Sequence, residues 1–148
     1  MTVTTAFRKI DGDTHFNHTV DVADLKDLLT RARYYEARDI LYRQTTVRSS
    51  RQQPKRSNAP DPESDAQVRL QEMDRLGFDT QVLMTQDAMP SPLIPALDKP
   101  VWLRTALAVL YNNESARLQR EFNGRYIGMV TVPWDDIAAS VAELERAR

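Results

Sequence analysis

The sequence predicts an α/β fold in which parallel strands alternate with helices. Three short apolar runs of strand length occur, at 7–16, 78–85 and 126–132, and amphipathic segments with apolar residues three and four positions apart lie between and after them. A helix that ends in glycine and leads at once into a short apolar strand is typical of a βαβ unit. Enlarged loops follow the first two runs, as in βα units whose sites lie at the C-terminal ends of the strands.

Composition narrows the class of protein. The 148 residues are 41% hydrophobic and 28% charged, which is typical of a globular domain with its own core. The net charge of −1 argues against a nucleic acid or an anionic membrane as the main partner. The absence of cysteine excludes a disulfide framework and thiolate chemistry, and there is no apolar leader or membrane-spanning run. We therefore expect a cytoplasmic protein.

The first strand, 7–16, follows a loose leader and is succeeded by a helical and loop insertion over 17–64. Apolar residues at helical spacing predict a helix over 21–44, with Asp21 or Asp24 as its cap. The chain then turns polar and proline-rich over 45–65, with a basic half followed by an acidic half. This loop is interpreted as a solvated insertion, although its basic half would also suit an anionic substrate.

The second predicted unit is a helix followed directly by a strand, and it begins where the polar, proline-rich loop ends. Ser64 or Asp65 is expected to cap a helix that ends at Gly77, and the strand 78–85 follows directly. A proline-rich loop over 87–100 comes after that strand. These signals predict an enlarged loop at the end of the second strand as well.

The third unit has a long helix over 101–122 that ends near Asn123 and Gly124. The strand 126–132 then runs to Pro133, and Asp135 or Asp136 is expected to cap a final helix. The predicted order is therefore strand, insertion, helix, strand, helix, strand, helix.

An Asp-x-His pair stands at the end of the first strand. Side chains two positions apart lie on the same face of a strand, so the Asp13 carboxylate and the His15 imidazole can converge on one divalent cation. The pair supplies half a metal site, because after His18 the chain has no further histidine. In the alternative interpretation, Asp13 is a turn residue and His15 an incidental strand residue.

Three blocks in the same order resemble the amidohydrolase-related family, the branch of the amidohydrolase superfamily with the aminocarboxymuconate-semialdehyde decarboxylase-like enzymes. The resemblance covers the chain from about residue 7 onward, outside the insertion, and the segment 142–147 resembles the helix after the third strand in that family. The blocks are 11–16 (DGDTHF), 69–83 (RLQEMDRLGFDTQVL), and 111–114 (YNNE) leading into 122–133 (FNGRYIGMVTVP).

The resemblance implies a metal-dependent (β/α)8 TIM barrel that hydrolyses, or non-oxidatively decarboxylates, a small cyclic or aromatic carboxylic acid. It carries Asp13 and His15 over as ligands of a divalent metal ion, zinc or manganese. It places His18 over the mouth of the barrel as a candidate substrate contact, where the family often has a glutamate. It also implies a small-molecule substrate and further His and Asp ligands beyond residue 148, and it leaves open a homo-oligomer of the intact enzyme.

Length separates two hypotheses. A (β/α)8 barrel needs about 250 residues, so we expect 1–148 to be the N-terminal three βα units of one barrel domain, inactive as a fragment. Such a piece should expose apolar residues of an uncovered sheet face, namely Val82, Met84, Ile127 and Met129. The alternative is a self-standing small α/β protein that binds a ligand without catalysis.

Overall fold

This computed structural model describes residues 8–16, 22–49, 61–62, 64–85 and 99–148. Within these residues the chain alternates strands and helices, as predicted. In chain order the elements are β1 (Ile10–Phe16), a 3-10 helix (Val22–Asp27), α1 (Arg31–Ser49), α2 (Ala66–Leu76), β2 (Thr80–Thr85), α3 (Val101–Glu121), β3 (Tyr126–Gly128) and α4 (Ile137–Ala147).

The three strands form one parallel sheet in the order β1-β2-β3, which confirms the predicted α/β class. His15 lies beside Met84, and Leu83 lies beside Gly128. The β1–β2 register shifts between Asp11 and Thr14, where β1 contains one residue more than β2. Because the strands are parallel, their C-terminal ends meet at one edge of the sheet.

Helices α2 and α3 cover one face of this sheet. The main core cluster joins one residue from each strand to one residue from each of these helices: Phe16, Leu83, Tyr126, Met73 and Leu118. A second cluster packs the 3-10 helix and α1 against the N-terminal half of α3: Leu25, Ala37, Leu103, Ala106 and Leu110. The helical part of the insertion is therefore packed onto α3.

Both boundaries of the helix predicted over 21–44 are wrong. Its first part is the 3-10 helix, where the N–H groups of Leu28 and Leu29 both donate to the carbonyl of Leu25, at 3.2 and 3.0 Å. The apolar spacing read as one long helix thus belongs to a short tight turn followed by a separate helix. The first five positions of the predicted 45–65 loop belong to α1.

Of the two caps predicted for this helix, Asp24 is wrong and Asp21 stays a prediction. Asp24 lies inside the 3-10 helix, and Asp21 lies outside the described residues. The residue before α1 is Thr30, whose Oγ1 accepts a long hydrogen bond of 3.4 Å from the N–H of Arg33. A hydroxyl in this position satisfies one of the free N–H groups of the first turn.

The other helix boundaries confirm the predictions. Asp65 and Asp136 accept hydrogen bonds from the first N–H groups of α2 and α4, and Gly77 adopts the left-handed conformation after α2, with φ of 75°. Asn123 and Gly124, also with positive φ, follow α3. Local side-chain chemistry therefore sets most ends of these helices.

Strand β3 is shorter than the predicted 126–132, since its pairing with β2 ends at Gly128. The side-chain amide of Asn112 on α3 holds the next segment: Nδ2 donates to the carbonyl of Thr131, and Oδ1 accepts from the N–H of Thr131, both at 2.8 Å. These two bonds replace the partners that a longer ladder would supply. The chain is thereby drawn from the sheet onto α3.

Candidate metal centre

His15 lies near the C-terminal end of β1, on the face of the sheet that no described helix covers. Its neighbours Thr14 and Phe16 are buried, and Phe16 lies in the core beneath α2 and α3. Because side chains alternate along a strand, His15 points to the opposite face, where it is exposed beside Met84. The predicted role of His15 as a metal ligand needs an exposed position of this kind at a strand end, and it stays a prediction.

Asp13 lies in the irregular stretch of β1, and its side chain is outside the described residues. The register shift interrupts the period-2 alternation, as the hydrogen bond of 2.9 Å from Thr14 Oγ1 to Asp11 Oδ2 shows: these two residues, three positions apart, share one face. The convergence of Asp13 and His15 on one cation therefore stays a prediction.

A polar network that sequence reasoning missed supports the end of β1. Asp11 Oδ2 also accepts from Gln81 Nε2 at 3.1 Å, and Gln81 Oε1 accepts from Arg69 Nη1 at 3.4 Å. Arg69 Nη2 donates to the backbone carbonyl of His15 at 3.1 Å. The three side chains thus join α2 and β2 to the backbone of the candidate ligand.

Arg69 also ties the chain before α2 to this network. Its Nε donates to the carbonyl of Pro62 at 2.6 Å, and its guanidinium lies 5.4 Å from the centre of the Phe16 ring. An arginine with these partners restrains the strand end through directed hydrogen bonds and a cation–π contact. Sequence spacing gives no sign of this role, because the contact joins distant parts of the chain.

The donor chemistry of Asp13 and His15 fits a divalent cation, since a carboxylate and an imidazole are common ligands of zinc and manganese. Two side chains fill only part of a coordination shell of about four to six donors. Among the described residues, no three His, Cys, Asp or Glu side chains are grouped closely enough to hold a metal ion. The remaining donors would come from other groups.

The remaining predicted residues divide by position. His18, the candidate substrate contact, lies outside the described residues, so its role stays a prediction. Trp134, in the segment after β3, is exposed. Of the apolar residues expected on an uncovered sheet face, Ile127 and Met129 are exposed and Val82 and Met84 half-buried.

The segment that carries Trp134 is fastened to α3 and α4. Buried Glu143 accepts a 2.6 Å hydrogen bond from Asn112 Nδ2 and pairs with Arg146, also at 2.6 Å. Burial alone raises the pKa of Glu143, but the hydrogen bonds from Arg146 and Asn112 outweigh it and hold that pKa below its ordinary value. Glu143 is thus kept as a carboxylate that braces the loop after β3.

A cleft of about 420 Å³ lies at the opposite end of the sheet, where the strands begin. Arg125 crosses it, donating to the carbonyl of Asp79 and pairing with the carboxylate of Asp74, both at 2.7 Å. The cleft is lined by Arg8, Asp74, Gly77, Phe78, Asp79 and Arg125. It is therefore separate from the edge that carries His15.

Comparison with known proteins finds a likeness in fold. No protein-family model and no curated protein sequence matches the chain. Among solved structures, it is similar to a dihydroxybenzoic acid decarboxylase from Polaromonas sp. JS666, determined with bound manganese and the inhibitor 2-nitroresorcinol. The match has a TM-score of 0.56 and 19% sequence identity, and covers 94% of this chain. The chain spans only 34% of that decarboxylase.

No α-helix in the described part of the chain combines the length and the apolar character needed to cross a membrane.

Proposed function

We propose that residues 1–148 form the first three βα units of a metal-dependent (β/α)8 barrel enzyme, with 17–64 as an insertion after the first strand. The proposed reaction is the non-oxidative decarboxylation of a small aromatic carboxylic acid, with hydrolysis as the other reaction of this class. The observation that carries the proposal is the likeness in fold to the manganese-containing dihydroxybenzoic acid decarboxylase over 94% of the chain. The exposed position of His15 at the end of β1 supports it.

In this proposal Asp13 and His15 are metal ligands and His18 contacts the substrate. A divalent cation would supply a Lewis acid that chelates the substrate carboxylate and a neighbouring oxygen, or that lowers the pKa of a water molecule for hydrolysis. Manganese is favoured because the similar structure contains it, and zinc is compatible with the same donors.

The other residues of the chain position and shield this site. Arg69 donates a hydrogen bond to the backbone carbonyl of His15, which restrains the strand end that carries the imidazole. Met84, Ile127 and Met129 present apolar side chains on the open face of the sheet, which suits the ring of an aromatic acid and excludes water around it. These roles require the rest of a barrel to enclose the site.

The test is a chimera in which this chain replaces the matching third of the Polaromonas decarboxylase. We expect the chimera to retain one manganese ion per chain and to release CO2 from a dihydroxybenzoate. Asp13→Asn and His15→Ala should each weaken manganese binding about tenfold or more. Asp24→Asn, on an exposed residue of the 3-10 helix, is the matched control.

Metal content and CO2 release separate the parts of this proposal. If the folded chimera binds manganese equally well after Asp13→Asn and after His15→Ala, neither residue is a metal ligand. If it binds metal and cleaves a cyclic amide but releases no CO2, the reaction is hydrolysis. The isolated chain should release no CO2, with or without added manganese.

The second candidate is a self-standing binding protein, and the cleft at the N-terminal ends of the strands favours it. Its charged walls would suit a small polar ligand. A compact monomer with a two-state melt that is insensitive to manganese would support this candidate. Aggregation of the isolated chain, or its association with the rest of a barrel, would support the enzyme.

A further inference from the structure

The cleft at the N-terminal ends of the strands is built from three segments that are distant in the sequence. Arg8 and Lys9 precede β1, the turn 77–79 joins α2 to β2, and Arg125 precedes β3. The ammonium group of Lys9 belongs to this cleft, because its Nζ lies 3.6 Å from the position that a Cβ on Gly77 would take. We call Arg8, Lys9 and Arg125 the cationic cluster.

Each member of the cationic cluster keeps hydrogen-bond donors that the rest of the described chain does not use. Arg8 Nη2 donates to Thr80 Oγ1 at 2.9 Å, and Arg125 uses Nε and Nη2 for its bonds to the cleft wall. Among the residues that the structure describes, Arg8 Nη1, Arg125 Nη1 and Lys9 Nζ have no acceptor. These donors are therefore available to a ligand in the cleft.

The acidic residues of the cleft leave an excess of positive charge. Asp79 Oδ2 accepts from the backbone N–H of Lys9 at 2.7 Å, and Asp74 pairs with Arg125. Two carboxylates thus stand against three cations, a balance of +1. The carbonyl groups at the end of α2, which would repel an anion, already accept hydrogen bonds from the N–H groups that follow the helix. The charge of the cleft therefore favours an anionic ligand.

We propose that this cleft binds a small organic oxyanion, a carboxylate or a phosphate monoester, whose charged head group meets the cationic cluster. Guanidinium groups present paired N–H donors that match the oxygen atoms of both head groups. The volume of about 420 Å³ lies in the range of about 300–1,000 Å³ that is typical of small-molecule sites. It therefore leaves room for an organic group beside Phe78, in addition to the charged head.

This ligand is distinct from the substrate of the candidate metal centre. The catalytic groups of a (β/α)8 barrel lie at the C-terminal ends of the strands, whereas this cleft lies at their N-terminal ends. A ligand held by Arg8, Lys9 and Arg125 joins the segments before β1 and β3, and so stabilises the folded sheet. The inference extends the second candidate above by naming the class of ligand and its contacts, and it depends on neither the metal nor the reaction.

Three probes that share a benzene ring and differ in charge test the proposal: benzoate, phenyl phosphate and benzylamine. The chain is titrated with each probe in the presence of EDTA, against sodium chloride at equal ionic strength, and its amide resonances are followed by NMR. We expect benzoate or phenyl phosphate to cause saturable shifts at Lys9, Gly77 and Asp79 and to raise the melting temperature, and benzylamine to do neither. The tighter of the two anions identifies the head group. The chimera carries the same cleft and replaces the isolated chain if that chain aggregates.

Two variants locate the bound anion. Lys9→Gln and Arg8→Gln should each weaken anion binding about fivefold or more, since each removes a charged donor. Lys9→Gln keeps the backbone hydrogen bonds between positions 9 and 79, so its urea midpoint should equal that of the original chain. Lys26→Gln, at an exposed position of the 3-10 helix, makes the same change of charge away from the cleft and should bind the anion as the original chain does.

Four results would overturn the proposal. Shifts that sodium chloride reproduces would mean that the cleft has no defined anion site. Unchanged affinity in both Lys9→Gln and Arg8→Gln would place the anion elsewhere, and saturation by benzylamine alone would make the cleft a cation site. Shifts confined to His15 and Met84 would assign the anion to the candidate metal centre. Failure of the chimera to bind manganese or release CO2 would instead count against the proposed function and leave this inference intact.

Discussion

Replacing Gly128 with alanine should push β3 and α3 apart. An ideal Cβ at this position would lie 2.4 Å from Ser115 Cβ and 3.2 Å from Ser115 Oγ. Carbon atoms in contact lie about 3.5–4.0 Å apart, so the strand and the helix must separate by about 1 Å or more. Because protein interiors are close-packed, we expect Gly128→Ala to lower the free energy of unfolding by about 1–3 kcal/mol. Urea denaturation followed by circular dichroism measures this loss.

A double-mutant cycle identifies the atom responsible. Ser115→Gly removes the Cβ that the new methyl group meets, whereas Ser115→Ala keeps it. After allowing for the cost of about 1 kcal/mol of a glycine inside a helix, Ser115→Gly should recover part of the loss, and Ser115→Ala should not. Gly12→Ala is the control, since its ideal Cβ meets no described atom within 4 Å.

Two results would refute this reasoning. One is a Gly128→Ala protein within about 0.5 kcal/mol of the original chain, the scatter of ordinary surface substitutions. The other is equal rescue by Ser115→Ala and Ser115→Gly. Either would mean that the contact between Gly128 and Ser115 does not set the distance between β3 and α3.

Two further predictions concern the polar network behind β3. Asn112→Ala removes both hydrogen bonds to the backbone of Thr131 and one of the partners of the Glu143 carboxylate. It should lower the free energy of unfolding by about 2–4 kcal/mol, against about 0.5 kcal/mol or less for Gln119→Ala at an exposed position of the same helix. Equal losses in urea denaturation would contradict it. The pKa of Glu143 is lower in the folded chain than its unfolded value of about 4.3, so the carboxylate stabilises the fold above that pH, and this contribution is lost as the pH falls through the folded pKa. The stability difference between the original chain and Glu143→Gln should therefore shrink between neutral pH and pH of about 3, as urea midpoints would show; a constant difference would contradict the assignment.

Local chemistry made much of this fold readable from the sequence. Asp65, Gly77 and Asp136 mark helix ends through bonds within a few residues of themselves, so their roles follow from neighbours in the chain. The apolar runs likewise predicted three strands in parallel order. Over 21–44 the same apolar spacing fits either one long helix or a 3-10 helix followed by a separate α1, and there the predicted boundaries were wrong.

The candidate site divides in a similar way. Sequence spacing pointed to His15 at a strand end, and the strand geometry places it on the open face. Sequence spacing alone gave no sign of Arg69, because its hydrogen bond to the backbone of His15 joins residues 54 positions apart. The pairing of Asp13 with His15 stays a prediction, because the register shift in β1 depends on how that strand lies against β2.

The sequence by itself therefore determined the class of fold, the order of its elements and most helix ends, since those depend on periodicity and on contacts between near neighbours. Only the tertiary structure decided where β3 stops and what braces the strand ends. The side chain of Asn112 hydrogen-bonds the backbone of Thr131, so the chain leaves the sheet there, and the missing side chain of Gly128 leaves room for Ser115. These contacts join residues 13 to 19 positions apart. Such contacts exist only once α3 lies on the sheet, because packing rather than local preference brings the partners together.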